Sequence, residues 1–412
     1  MSGRRADVPA LTGVRALAAL WVVAYHLWIA TGRPAVGWPG AALPWRLDPL
    51  FASGWLGVDV FFVLSGFVLQ WQVEHERERA SLPWRGARSY GHFLGRRVLR
   101  VFPAYLACLT ILLPLAWLRV GRWTPPEFGD TALHLVMTHN AVPAYVSTIS
   151  GVFWSLPIEW HFYLVFPLGA WLLSRGSPWL LLALAMAVTL LVHRLVIDQR
   201  ALEWLLAWTP FRAVEFATGM AAAAWTRRSN VNTPARADAL FAAGALALLA
   251  IGWRWGRLDI AWWSGDWRTL ARMVAMSAAV AAMLCAVSLP GPSRLGSAVF
   301  GNRTAVWIGM VSYSLYLWHF SVIEFAIDHR LAALRGDGSL RDLASLLAVA
   351  LPLSFAISAA SYYAVERVFL DRNRWPARTG DRGGWMRRPL LVTGAWMLAL
   401  LAAAALVAFV RR

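Results

Sequence analysis

The chain has no lysine: all 39 of its basic residues are arginine, against 22 acidic residues, giving a formal net charge of +17. Alongside so much alanine and 26 tryptophans, this bias reads as the codon usage of a GC-rich genome, and it does not imply nucleic acid as a partner. Cysteine is almost as scarce. Cys108 and Cys285 are the only two, both inside apolar runs, which excludes a disulfide framework or thiolate metal site and leaves two buried thiols. Internal repeats are lacking too, which counts against a transporter built from two matching halves with interrupted helices. No long low-complexity linker separates domains, and the longest polar stretches are 73–97 and 371–388. His134 and His139 lie five apart without a carboxylate in sight, so solvated or capping roles are expected for them and no metal site is.

What remains is strongly apolar. Hydrophobic residues make up 59% of 412 positions and the mean hydropathy is +0.52, too high for a soluble protein of this size. About eleven runs are long enough to span a bilayer, near 11–30, 55–72, 99–118, 152–173, 178–197, 204–225, 239–255, 269–289, 305–327, 343–366 and 389–410. The expected fold is all-α, a polytopic integral membrane helix bundle of about ten or eleven transmembrane helices. Residues 1–370 form its main domain, 371–388 a basic cytoplasmic connector, and 389–412 an extra C-terminal helix that serves as an anchor or a docking element. The first run is expected to persist as a span, because Arg15 and His26 interrupt it and no small-x-small cleavage site stands out. Arg4, Arg5, the run from Arg77 to Arg100 and the run from Arg367 to Arg388 fall on loops of one parity. That alternation places the N-terminus in the cytoplasm of a multi-pass protein of the plasma, or inner, membrane.

Charges inside spans are costly and usually line a cavity where they act. Arg15 and His26, in LTGVRALAALWVVAYHLWIA, are eleven residues apart, three turns plus about 20°, so they share a helix face about 16 Å apart along the axis. GVDVFFVLSGF brings Asp59 near the outer surface and Ser65 to mid-depth. FLGRRVLRVFPAY crowds Arg96, Arg97 and Arg100 at a cytoplasmic helix end, with Arg96 and Arg100 on one face. Such a cluster suits phosphate groups, and equally suits a positive-inside anchor. GVFWSLPIEWHFYLVFPL places Glu159 and His161 in an aromatic-rich segment near the outer face. FRAVEFATGM adds Arg212 and Glu215, able to pair along one face as a structural ion pair or as part of a site. VSYSLYLWHF adds Tyr313, Ser314, Tyr316 and His319, of which Tyr316 and His319 reach either a shared cavity or interhelical hydrogen bonds.

Taken in order, TGVRALAALWVVAYH, GVDVFFVLSGF, RRVLRVFPAY, WSLPIEWHFYLVFPL, FRAVEFATG, SYSLYLWHF and SYYAVERVFL closely resemble acyltransferase family 3. This group contains O-antigen acetylases and related carbohydrate and macrolide acyltransferases, and the likeness runs through most of residues 8–370. It implies transfer of an acyl group, commonly acetyl, from cytoplasmic acyl-CoA to a hydroxyl. Acyl-CoA is then a co-substrate and no cofactor is tightly bound. The family's Arg-x10-His motif matches Arg15 and His26, its basic signature Arg96, Arg97 and Arg100, and its WSL-x-x-E motif Glu159. Pro157 and His161 depart from the usual pattern without removing a proposed catalytic group. Some relatives continue into an extracytoplasmic esterase-like domain, and none is expected here.

The residues fit that activity. A histidine with an ordinary pKa of about 6.5 can take a proton from an acceptor hydroxyl and return it. His26 is the expected general base, with an acyl-imidazole as the variant, while Glu159 or Asp59 orients it or binds the acceptor. Arg15, Arg96, Arg97 and Arg100 are the expected donor contacts, and Asp59, Ser65, Arg212, Glu215, Tyr316 and His319 the acceptor-side or supporting groups. Expected partners are membrane lipid, acyl-CoA and a hydroxyl-bearing glycan, glycolipid or small molecule. Acceptor identity, acyl chain length and oligomeric state are not legible in one sequence. The competing classes are a secondary transporter with these charges as its pathway, and a flippase or assembly partner of an envelope pathway.

Overall fold

Hydrocarbon offers no partner to a backbone N–H or C=O, so apolar runs of this length close their hydrogen bonds internally as helices. The computed structural model describes residues 8–37, 46–78, 87–118, 127–175, 177–258, 266–371, 374 and 384–410. Their helices are α1 (Pro9–Ala30), α2 (Asp48–Ala52), α3 (Leu56–Glu78), α4 (Ala87–Trp117), α5 (Phe128–Leu135), α6 (Ser155–Arg175), α7 (Pro178–Asp198) and α8 (Ala213–Arg228). They continue as α9 (Pro234–Gly256), α10 (Trp267–Ser288), α11 (Arg294–Phe300), α12 (Arg303–Asp328), α13 (Leu340–Ser361), α14 (Arg367–Leu370) and α15 (Arg387–Val410). Among the described residues there is no strand, only an isolated bridge between Gly37 and Arg46.

Among the described residues, ten helices are long and apolar enough to cross a membrane, so the all-α polytopic expectation holds at the lower end of its range. The difference lies in the run at 204–225. Its first part is a 3₁₀ stretch, Arg200–Ala207, after which Trp208 is extended (φ −107°, ψ 152°) and α8 starts only at Ala213, sixteen residues long. Pro210 sits in a turn closed by the Arg212 N–H on the Thr209 carbonyl at 3.0 Å, and having no N–H of its own it cannot carry the 3₁₀ stretch on into α8. Of the expected connector, most of 371–388 lies outside the described residues, as do Arg4, Arg5 and Arg412.

The helices fall into two compact units. The first comprises Met1–Ser81, Val165–Tyr313 and Leu334–Ser345. Its core is built by α1, α3, α8 and α10, through Val14, Ala18, Val60, Val63, Phe67, Ala223, Met276, Val280 and Leu284. Helices approach closely where they meet through small residues, as in lipid-embedded packing generally. A Cβ on Gly219 would stand 2.0 Å from the Val63 carbonyl oxygen, and one on Gly66 2.2 Å from that of Phe216, so α3 and α8 touch backbone to backbone.

The second unit comprises Leu82–Leu164, Ser314–Ala333 and Leu346–Arg412. Here α15 packs on α4: Leu390 and Met386 lie beside Gly95, and Trp396 Nε1 donates to Thr110 Oγ1 at 2.9 Å. The last helix therefore packs on α4, while Leu391, Leu398, Leu406 and Phe409 stay exposed on its outer side, as lipid contact requires. Cys108 and Cys285 are buried free thiols, as expected.

Candidate active site

Helix α1 starts at Pro9, whose missing N–H costs nothing in a first turn. On its partly exposed side stand Arg15 and His26. Arg15 Nε donates to Ser312 Oγ at 3.3 Å, and its guanidinium lies 6.0 Å from the centre of the Phe61 ring. His26 Nδ1 lies 3.0 Å from the Val22 carbonyl oxygen, four residues back. A carbonyl only accepts, so Nδ1 carries the proton and Nε2 is left as the basic nitrogen. The Tyr25 ring packs edge-on against the imidazole at 5.1 Å and limits its rotation.

The first unit also holds a buried charge cluster. Arg212 Nη1 donates to Asp59 Oδ1 at 3.0 Å and to Glu215 Oε1 at 3.3 Å. Close by, the Arg272 guanidinium stacks 4.0 Å over the Trp55 ring. None of these four charged residues is more than 1% exposed. Two arginines and two carboxylates balance, which is what makes their burial tolerable. Arg212 and Glu215 thus pair as their spacing allows, and Asp59, 153 residues away in sequence, joins them and ties the starts of α3 and α8. Arg272 is not marked out by the sequence, because its spacing reveals no partner. Ser65, six residues beyond Asp59 on α3, is half-buried.

In the second unit the basic cluster on α4 diverges. Arg96 is exposed. Arg97 lies over Phe93 at 5.5 Å and Tyr163 at 5.8 Å, and Tyr163 donates its hydroxyl to Glu159. Arg100 forms an ion pair with Glu366, which is 1% exposed. Glu159 lies within electrostatic reach of both Arg97 and Arg100. Glu366 belongs to the SYYAVERVFL string and was missed as a site residue, although a carboxylate in so apolar a run has to find a cation. Tyr316 resolves toward interhelical bonding: its hydroxyl lies 2.8 Å from the Val152 carbonyl oxygen and 2.7 Å from Ser155 Oγ. His319 is fully buried, with Nδ1 2.9 Å from the Leu315 carbonyl.

The loop between α4 and α6 overturns one expectation. His134 and His139 are not solvated: both are 0% exposed and their rings stack in parallel, 3.7 Å apart. They do have carboxylate company, since His134 Nδ1 lies 2.9 Å from Asp130 Oδ1. Four-residue helical spacing carries that contact, a signal present in the sequence. Burial, and then the neighbouring His134, pushes His139 well below its ordinary pKa of 6.5. Among the described residues, no group of three or more histidine, cysteine or carboxylate side chains is placed to hold a metal.

A membrane helix bundle carrying an Arg-x10-His helix, a basic helix end and buried carboxylates is the class of protein these observations define, and the chain belongs to acyltransferase family 3. The family's acyltransferase domain matches residues 8–364. Among characterised relatives, the peptidoglycan O-acetyltransferase OatA of Listeria monocytogenes is 25% identical over 348 residues, covering 77% of this chain and 50% of OatA. The exopolysaccharide production protein ExoZ of Rhizobium meliloti is 26% identical over 333 residues, covering 79% of this chain and 92% of ExoZ. The O-acetyltransferase OatA of Staphylococcus aureus is 25% identical over 365 residues, with 77% and 51% covered. The chain therefore spans about half the length of the two OatA proteins. No solved structure is significantly similar to it.

Proposed function

We propose that the chain is a membrane O-acyltransferase that moves an acyl group, acetyl by default, from acyl-CoA to a hydroxyl of a cell-envelope polysaccharide. The O-acetyltransferase activity of the OatA relatives and the production role of ExoZ support the acetyl group and the polysaccharide. The observation that carries the reading is the His26 imidazole, whose Nδ1–H is committed to Val22 and whose Nε2 is basic.

With the N-terminus inside, Arg15 stands in the cytoplasmic half of α1 and His26 in the outer half. Arg96, Arg97 and Arg100 take the phosphates of the donor, where guanidinium forks match phosphate oxygens. His26 Nε2 accepts the proton of the acceptor hydroxyl as its oxygen attacks the thioester carbonyl. The tetrahedral adduct then expels the CoA thiolate, which takes the same proton from the imidazolium. Ester and free CoA leave, and His26 returns to its starting tautomer. Glu159, fixed by the Tyr163 hydroxyl, orients the acceptor. No tightly bound cofactor is needed, because the thioester is already activated.

The test is transfer of labelled acetyl from acetyl-CoA to envelope glycan by membranes carrying the chain or its His26→Gln variant at equal abundance. Loss of label with the variant supports the reading. Full transfer without His26, or glycan movement across the membrane without CoA release, removes it in favour of another base or of transport.

A further inference from the structure

Arg100 donates from Nη1 to Glu366 Oε1, joining residues 266 apart in sequence. About a quarter of the Arg100 side chain stays exposed (25%), while Glu366 is sealed in at 1%. A guanidinium presents its N–H groups in a rigid planar fork, so a carboxylate that holds one edge also sets the direction of the other. Glu366 is itself held. Its Oε2 lies 3.2 Å from Ser314 Oγ, and that hydroxyl lies 3.3 Å from Ser361 Oγ.

The backbone adds a second, independent observation. Between α13 and α14 the chain makes one π-helical turn, Tyr362–Glu366, closed by the Arg367 N–H on the Tyr362 carbonyl. A π turn inserts one residue into the helical register, rotating the residues beyond it by about 100°, and such turns recur at functional sites. That rotation decides which way Glu366 points. A carboxylate needed only to neutralise a cation has no use for it, since an α-helical register with a different residue choice reaches the same helix.

We propose that Glu366 is a positioning residue for the acyl donor, holding the Arg100 guanidinium so that its other edge is directed at a phosphate of acyl-CoA. This rests on the reading of the α4 arginines as phosphate ligands. Glu366 touches no substrate in this scheme and acts only through Arg100.

The experiment uses the purified full chain and measures CoA binding, the KM and kcat for acetyl-CoA, and the melting temperature. Four variants are compared: Arg100→Ala, Glu366→Gln, Glu366→Asp, and the charge swap that combines Arg100→Glu with Glu366→Arg. Glu366→Gln is expected to raise KM about tenfold, the scale of one oriented hydrogen bond to a charged group, with kcat within about twofold. Glu366→Asp keeps the charge but shortens the arm, so KM rises while melting is unchanged. The swap restores melting and leaves CoA binding lost. If Arg100→Ala binds CoA like the parent, the phosphate-ligand reading itself fails. If Arg100→Ala loses binding but both Glu366 variants keep it, or the swap restores it, the pair only fastens helices and positioning is overturned.

Discussion

His26 has a proton on Nδ1 because that nitrogen faces the Val22 carbonyl, and this decides what Nε2 can do. Replacing His26 by Ala is expected to lower acyl transfer by about 10²- to 10⁴-fold with the melting temperature unchanged, as measured by acetyl release from acetyl-CoA. Arg212 behaves in the opposite way. Its removal strands Asp59 and Glu215 in a dry interior, so Arg212→Ala should cost about 3–5 kcal/mol in stability, seen as loss of folded protein in detergent. His139 gives a pH test. Its folded pKa is depressed, so above 6.5 it is neutral in both states and costs nothing. As pH falls below 6.5 the unfolded state takes up a proton that the folded state refuses, and stability drops until the folded pKa is passed. Melting should therefore fall between about pH 7 and 5, and His139→Phe, which keeps a flat ring against His134, should flatten that fall. Local spacing made some of these residues legible: Arg15 with His26, and Arg212 with Glu215, emerge from helical periodicity alone. Glu366 and Arg272 were not legible, because their partners lie far away in sequence, and periodicity says nothing of which helices meet.

At the level of elements, apolar length and helix punctuation carried most of the information. Among the described residues, ten helices are long and apolar enough to span, and around Pro210 the remaining apolar run is divided into a 3₁₀ stretch and the shorter α8. The closeness of α3 and α8 was less visible, since a glycine in a helix reads as a weakness until its neighbour is known. With the Val63 carbonyl 2.0 Å from where a Cβ would sit, Gly219→Ala must push the two helices apart. A cost of about 1–3 kcal/mol is expected, readable as a lower melting temperature. Because α3 carries Asp59 and α8 begins just after Arg212, the same shift should loosen the charge cluster. Tyr316→Phe separates element packing from chemistry: it leaves the Val152 carbonyl without its donor, costing about 1–3 kcal/mol, while kcat is unchanged. The π turn after α13 is a feature no propensity argument anticipates, because its cause is tertiary.

For the molecule as a whole, the arrangement is a helical membrane protein whose polar groups are sorted by burial. Asp59, Arg212, Glu215 and Arg272 are sealed and mutually balanced, whereas Arg15, His26, Arg96 and Arg100 keep access to their surroundings. That sorting suits the proposed activity: the charges that hold the bundle stay dry, and the groups proposed to do chemistry stay reachable. In the proposed reaction, thioester cleavage depends on His26 and on an acceptor hydroxyl. The most direct measurement is CoA thiol release from acetyl-CoA by the purified chain in lipid vesicles, with and without an envelope polysaccharide, for the parent and a folded His26→Ala variant. Release is expected to require the polysaccharide and to fall at least about a hundredfold in the variant. Equal release from both proteins, or none from the folded parent while polysaccharide crosses the vesicle wall, would contradict it.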